Sequence, residues 1–147
     1  MIEGKYLYGA NDNLSEAFSI RRKVFVEEEG MEEKEEFDGF DEMCVHAVIS
    51  VEGKNLGTGR ILYDGDEFEI GHICILREER RKLYGDFLVR MLIDKAFLSG
   101  ASEVVVYTPN RFVPFYQKIG FFVECEEVNH KVKMKLNKGT LCKECQK

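Results

Sequence analysis

The sequence predicts a mixed α/β sheet, and three observations carry that prediction. Met43 to Leu76 holds apolar runs broken by turn signals, the pattern of an antiparallel meander. From Leu83 to Ala96 the apolar residues change to a helical spacing. Glu103 to Thr108 is then a short apolar strand. A helix between two strands implies a right-handed crossover, and so one parallel pair within the antiparallel sheet.

Each element has its own signal. Leu14, Ala17, Phe18, Arg21, Val24 and Phe25 recur at three-to-four spacing, which predicts a helix with Asn13 as its cap. Residues 27–42 hold ten acids and one lysine. So much charge is too costly to bury, and an exposed loop with a helical turn is expected. Met43 to Val51 is a strand that Gly53-Lys54 turns back into Leu56 to Tyr63. Asp64-Gly65-Asp66 is a hairpin turn before a strand from Phe68 to Leu76. Gly57-Thr58-Gly59 lies inside this strand pair with no helix after it, so it reads as a kink or bulge rather than a dinucleotide fingerprint.

Leu83, Phe87, Leu88, Met91, Leu92, Lys95 and Ala96 form the stripe of the long helix, which Gly100 ends. Asn110 is the expected cap of a short helix with Pro114 in its first turn. Strands over Phe121 to Glu126 and Lys131 to Leu136, joined near Val128-Asn129-His130, complete the sheet. One domain over residues 1–137 and a polar tail over 138–147 are expected.

The bulk numbers narrow the function. A net charge of −6 argues against a nucleic-acid groove and suits a cationic partner such as an amine. No run of about 18 apolar residues offers a membrane span. Met1 to Tyr6 lacks the apolar centre of a signal peptide, so a cytoplasmic location is expected. Five cysteines, an odd and scattered set, do not form a disulfide framework, and Cys44 and Cys74 read as small hydrophobes in strands. Cys142-Lys-Glu-Cys145 supplies two of the four ligands zinc usually takes. It reads as incidental thiols of a tail, or as half a site completed by His130 or a second copy. No metal is expected in the activity.

Arg80-Arg81-Lys82-Leu83-Tyr84-Gly85 leads from a buried strand into the long helix. A helix N-terminus presents unpaired N–H groups and a partial positive charge, the cations add full charges, and Gly85 lets a ligand approach the backbone. The construction suits a pyrophosphate. The same residues also read as a solvated basic turn. Tyr116, in Asn110-Arg-Phe-Val-Pro-Phe-Tyr116-Gln-Lys-Ile-Gly120-Phe121, reads by itself as a core aromatic.

Together these segments resemble the GNAT superfamily of acetyl-CoA-dependent N-acetyltransferases, and in particular its ElaA-like branch. The resemblance spans about residues 14–136. Ile20 to Glu29, Glu35-Glu-Phe-Asp-Gly-Phe-Asp-Glu42 and His46 match the branch's first helix, acidic loop and second strand. Ile70 to Leu88 matches the acetyl-CoA motif, and Asn110 to Phe121 the C-terminal motif. The family's cradle usually runs Arg/Gln-x-x-Gly-x-Gly/Ala, so Leu83 stands where its first glycine would be. The resemblance implies a GNAT-like acyl-CoA N-acyltransferase fold with a splayed parallel pair at the centre. Ile73, Cys74 and Ile75 would bind the pantetheine arm through their main chain. The N–H groups of Arg80, Arg81, Lys82, Leu83, Tyr84, Gly85 and Asp86 would hold the pyrophosphate, and Asn110, Phe115 and Tyr116 would line the far side of the arm. Acetyl-CoA would be a co-substrate, meeting the amine in a direct ternary complex.

Acetyl transfer needs a base for the amine, stabilisation of the oxyanion and a proton for the thiolate. Tyr116 matches the family's acid. Glu69 matches the catalytic glutamate of some members, His72 titrates in the right range, and His46 is a third candidate; many members use no single base and relay the proton through water. In a regular strand Glu69 and His72 point to opposite faces, a rule that a bulge would break. A non-catalytic acyl-CoA-binding module on the same fold, and a zinc-dependent interaction protein using the cysteine tail, are the competing readings. A strand edge near the C-terminus could pair two copies in a homodimer.

Overall fold

The computed structural model describes residues 1–139, and it begins with a strand that the hydrophobic pattern does not announce. β1 (Ile2–Tyr8) has only Ile2, Tyr6 and Leu7 partly covered. It is an edge strand, aligned from Ile2 opposite Val51 to Tyr8 opposite Val45. An edge strand with one face in solvent needs little apolar sequence, which is why it escapes a periodicity reading.

The first helix forms, with Leu14 rather than the expected Asn13 at its cap position. α1 (Ser15–Arg21) runs on as a π-helical segment, Arg22–Glu28, and Asn13 Oδ1 accepts from the Ser15 N–H at 2.9 Å. Ala17, Ile20 and Val24 pack into the core. The acidic stretch contains the expected helical turn, as a short helix, α2 (Glu33–Glu36), followed by a 3-10 turn, Asp41–Met43. Its full exposure needs correction: Glu36 and Asp41 are buried. Their partners are arginines supplied from elsewhere in the chain, which a count of local charge does not register.

The meander follows as β2 (Val45–Val51), β3 (Lys54–Tyr63) and β4 (Phe68–Ile75). α3 (Tyr84–Leu98) crosses to β5 (Glu103–Thr108). α4 (Val113–Ile119), β6 (Phe122–Val128) and β7 (Lys131–Asn137) finish the fold. Asn110 does not cap α4. It opens a 3-10 turn, and Phe112 takes the cap position with no side-chain bond. Pro114 does lie in the first turn, where a missing N–H loses no helical bond. The strands form one sheet of order β1-β2-β3-β4-β5-β7-β6. Leu88, Val89, Leu92, Ile93 and Ala96 of α3 are fully buried in the core. Among the described residues no helix is long and apolar enough to cross a membrane.

Gly59 explains how α3 comes so close to the sheet. A Cβ there would lie 2.7 Å from Leu92 Cδ1 and 3.0 Å from Ile73 Cγ1. Opposite it the register slips: Arg60 faces Gly71 and Thr58 faces Cys74. Two β4 residues, His72 and Ile73, therefore answer one β3 residue. This is a β-bulge, and it fits the kink expected from Gly57-Thr58-Gly59. Cys44 and Cys74 are buried as small hydrophobes; burial pushes the Cys44 thiol up to about 11. Cys142 and Cys145 lie outside the described residues.

Candidate active site

The central parallel pair is short. β4 and β5 align only at Glu69 with Val105 and Ile70 with Val106. Beyond Ile70 the strands part, because β5 continues alongside β7 to Thr108 while β4 bulges at His72. The edge of β4 from Gly71 to Ile75 that faces β5 thus has no strand partner. Ile73, Cys74 and Ile75, the residues singled out from the sequence, lie in that stretch. One of them is already engaged: the Ile75 carbonyl accepts from Arg80 Nε at 2.9 Å.

Past β4 the chain leads through a 3-10 turn, Arg77–Glu79, to the start of α3. Arg81 has a positive φ of 67°, unusual outside glycine, and the backbone there turns inward. The first helical bond runs from the Phe87 N–H to the Leu83 carbonyl. Among the described residues the structure gives no acceptor to the amides of Arg80 through Asp86. A run of amides without partners beside a helix N-terminus has the donors and partial positive charge that an anion requires. Leu83 does not obstruct it by packing inward, since its side chain is 83% exposed. The cations take different roles. Arg80 makes a two-pronged pair with Glu28 at 2.6 and 2.7 Å, so it braces the π-helical segment against the end of β4. Lys82 reaches Glu79 at 3.3 Å and lies over the Tyr84 ring. Arg81 has no ion-pair partner among the described residues.

α4 places Phe115 close to the first turn of α3: a Cβ on Gly85 would lie 3.6 Å from Phe115 Cζ. Tyr116 is 7% exposed and packs edge-on against Phe115 and Phe121. Burial drives its phenol well above the usual range, so the group keeps its proton. Its hydroxyl has no hydrogen-bond partner among the described residues. Asn110 stands exposed ahead of α4.

The bulge also decides the geometry of the base candidates. Arg60, opposite Gly71, shares a face with Glu69 two residues earlier on β4. The extra residue turns His72 to that face as well, where it meets Glu36 and Asp38. Glu69 is half-buried; burial raises its pKa, against the lowering charges of Arg60 and His72. His46 is fully buried, and its Nε2–H donates to the Asp41 carbonyl at 3.0 Å. Burial lowers its pKa, and with no exposed surface it is out of an amine's reach.

The sequence reading missed what surrounds these groups. Arg21, Glu36, Asp38, Asp41 and Arg60 form a continuous network. Arg21 Nε donates to Glu36 Oε2 at 2.7 Å and Nη1 to Asp41 Oδ1 at 2.6 Å. Arg60 holds Asp38 at 2.6 and 2.9 Å and Asp41 at 2.9 Å. One signal was present: Arg21 occupies a core position of the α1 stripe, where an arginine needs a buried acid.

The model of the acetyltransferase (GNAT) family matches residues 14–121. This chain is a GNAT-family protein. The Bacillus subtilis protein YyaT is 34% identical over 118 residues, covering 78% of this chain and 80% of that one. The GNAT fold recurs in Escherichia coli ElaA, with a TM-score of 0.81 at 21% identity over 93% of this chain and all of that one. It recurs also in a PaiA N-acetyltransferase from Thermoplasma acidophilum, solved in complex with coenzyme A, with a TM-score of 0.70 at 15% identity over 93% of this chain and 99% of that one. Family and fold make this GNAT protein an acyl-CoA-dependent acyltransferase.

Proposed function

We propose that this GNAT protein transfers the acetyl group of acetyl-CoA to a primary amine of a small molecule or peptide, in a direct ternary complex. The observation that carries the reading is the nest of partnerless amides from Arg80 to Asp86 at the mouth of the β4–β5 splay. The pyrophosphate binds those amides, with Arg81 as the uncommitted cation. The pantetheine arm follows the free edge of β4 at Ile73, Cys74 and Ile75, while Asn110, Phe115 and Tyr116 close the other side. The thioester then lies between the β4 backbone and Tyr116. The amine enters on the face that carries Glu69 and His72, and the carboxylates there favour an ammonium. A main-chain N–H near Cys74 or Ile75 stabilises the oxyanion. Tyr116 protonates the departing sulfur.

Calorimetric titration of acetyl-CoA is expected to give a micromolar Kd. Arg80→Ala should weaken it about 10-fold, the scale of one charged hydrogen bond, by releasing the end of β4 and a nearby cation. Absence of binding would overturn the reading. Binding with no turnover of any amine would favour the non-catalytic acyl-CoA-binding module.

Gly85→Ala separates the ligand's needs from the fold's. The new methyl meets Phe115 at an ordinary contact distance of 3.6 Å, and alanine is the better helix former by about 0.8–1.0 kcal/mol. The variant is expected to melt no lower than the unmodified protein, yet to bind acetyl-CoA at least about 10-fold more weakly, by blocking a phosphate's approach to the amides. Unchanged affinity would place the pyrophosphate elsewhere.

A further inference from the structure

We propose that His72 is the base that takes the acceptor's proton, and that Glu36, clamped by Arg21, is the positioning residue that fixes its imidazole. The proposal deepens the acetyl-transfer reading and rests on it. Its basis is a set of buried contacts on the amine's side of the sheet. Arg21 and Glu36 are 1% and 2% exposed. Arg21 Nε donates to Glu36 Oε2 at 2.7 Å, and Nη2 donates to the Glu36 carbonyl at 2.9 Å. His72 Nδ1 lies 2.7 Å from the same Oε2.

An oxygen that shares a guanidinium belongs to an ionised carboxylate, which can only accept. Nδ1 therefore carries the hydrogen. Neutral His72 is fixed as the Nδ1–H tautomer, with its lone pair on Nε2. Arg21 supplies the counter-charge that a carboxylate so buried requires. The ring is held further by the bulged backbone, with φ of 50° at His72, and by the Phe25 ring edge-on at 6.4 Å. Its side chain stays 20% exposed, so Nε2 is reachable from the face where the amine arrives.

Asp38 completes the arrangement. Its Oδ2 lies 3.6 Å from His72 Nε2 and is held by Arg60 at 2.6 Å. A lone pair beside a carboxylate suits an ammonium, which can donate to Nε2 while Asp38 attracts its charge. One ammonium proton passes to Nε2, and the freed nitrogen pair forms the C–N bond. The C–S bond breaks as Tyr116 protonates the sulfur. The second proton, shed by the new amide nitrogen, restores the Tyr116 phenol through solvent, and the His72 imidazolium releases the first to solvent.

The charged groups facing His72 are Glu36 on α2, Asp38 in the following loop, Glu69 on its own strand, Arg60 on β3 and, behind Glu36, Arg21 on α1. Long-range proton–nitrogen correlation spectra of the unmodified protein, with His72 neutral, are expected to show its hydrogen on Nδ1. A hydrogen on Nε2 would overturn the proposal without any variant. In pH profiles of kcat/KM, Glu36→Gln is expected to lower the plateau at least about 10²-fold. It should also move the acid limb to lower pH, because it removes a negative charge that favours the imidazolium. His72→Gln is expected to abolish that limb, while the acetyl-CoA Kd holds in both variants. A uniform loss with the limb unmoved would leave Glu36 a purely structural role and overturn the proposal. If the unmodified protein binds acetyl-CoA yet acetylates no amine, the transfer reading itself falls and the base with it, a result distinct from a wrong tautomer.

Discussion

Arg21→Ala is expected to destabilise the protein by about 3–5 kcal/mol, the range found when one partner of a buried ion pair is removed. The guanidinium is 1% exposed and bonds the side chains of Glu36 and Asp41 together with the Glu36 carbonyl. Without it two carboxylates remain in the interior, and only Asp41 keeps another arginine, Arg60. Arg22→Ala is the internal control. Arg22 pairs with Glu33 at 2.7 Å, but both side chains are roughly half exposed or more, and such surface pairs contribute about 0–1 kcal/mol. Denaturant melts of the two variants should therefore differ by several-fold in their loss of stability; equal losses would show that the buried network contributes no more than a surface pair. The network also sets an acid limit. Burial alone would raise the Asp38 carboxyl, but its bonds to Arg60 outweigh that and hold it at about 2. Asp41 is likewise depressed, with Arg21 and Arg60 overcoming its burial. A carboxylate with a lowered folded-state pKa contributes stability above its unfolded value, near 3.9. For Asp38 that contribution should disappear as pH falls from about 4 toward 2.

Tyr116→Phe should lower kcat about 10²–10⁴-fold, the usual worth of a positioned acid or base, and leave acetyl-CoA affinity unchanged. The substitution separates chemistry from packing unusually well. The ring keeps its edge-on contacts with Phe115 and Phe121, at 5.0 and 5.5 Å between centroids. The hydroxyl it loses has no partner among the described residues, so the fold should barely register the change. Because burial raises the phenol's pKa, the acid stays loaded through neutral and mildly alkaline pH. Any loss of rate in the variant should be present across that whole window. Full turnover at every pH would remove Tyr116 from the chemistry and return it to the core.

How much of this was legible beforehand differs by element. The α3 stripe, the β3–β4 hairpin turn and β5 carry strong local signals, because helical spacing and turn residues are consequences of the backbone itself. The open amides at the start of α3 were legible for the same reason: a helix N-terminus leaves its first amides open whatever surrounds it. β1 was not, because an edge strand derives its place from the strand it pairs with. The acidic stretch was misjudged for a related reason. Ten acids in a row of sixteen residues look unburiable until Arg21 and Arg60 arrive from a helix and a strand distant in sequence.

The sequence by itself determined the order of elements after β1, the parallel crossover, the open amides before α3 and the aromatic motif that holds Tyr116. Each follows from neighbours a few residues apart. Only the tertiary structure decided which face His72 occupies, that His46 is interior and that Glu36 is an ion-paired partner rather than part of a solvated loop. The reason is physical: one extra residue in β4 reverses the side-chain alternation beyond it, and a buried charge is tolerable only where the fold supplies its counter-ion.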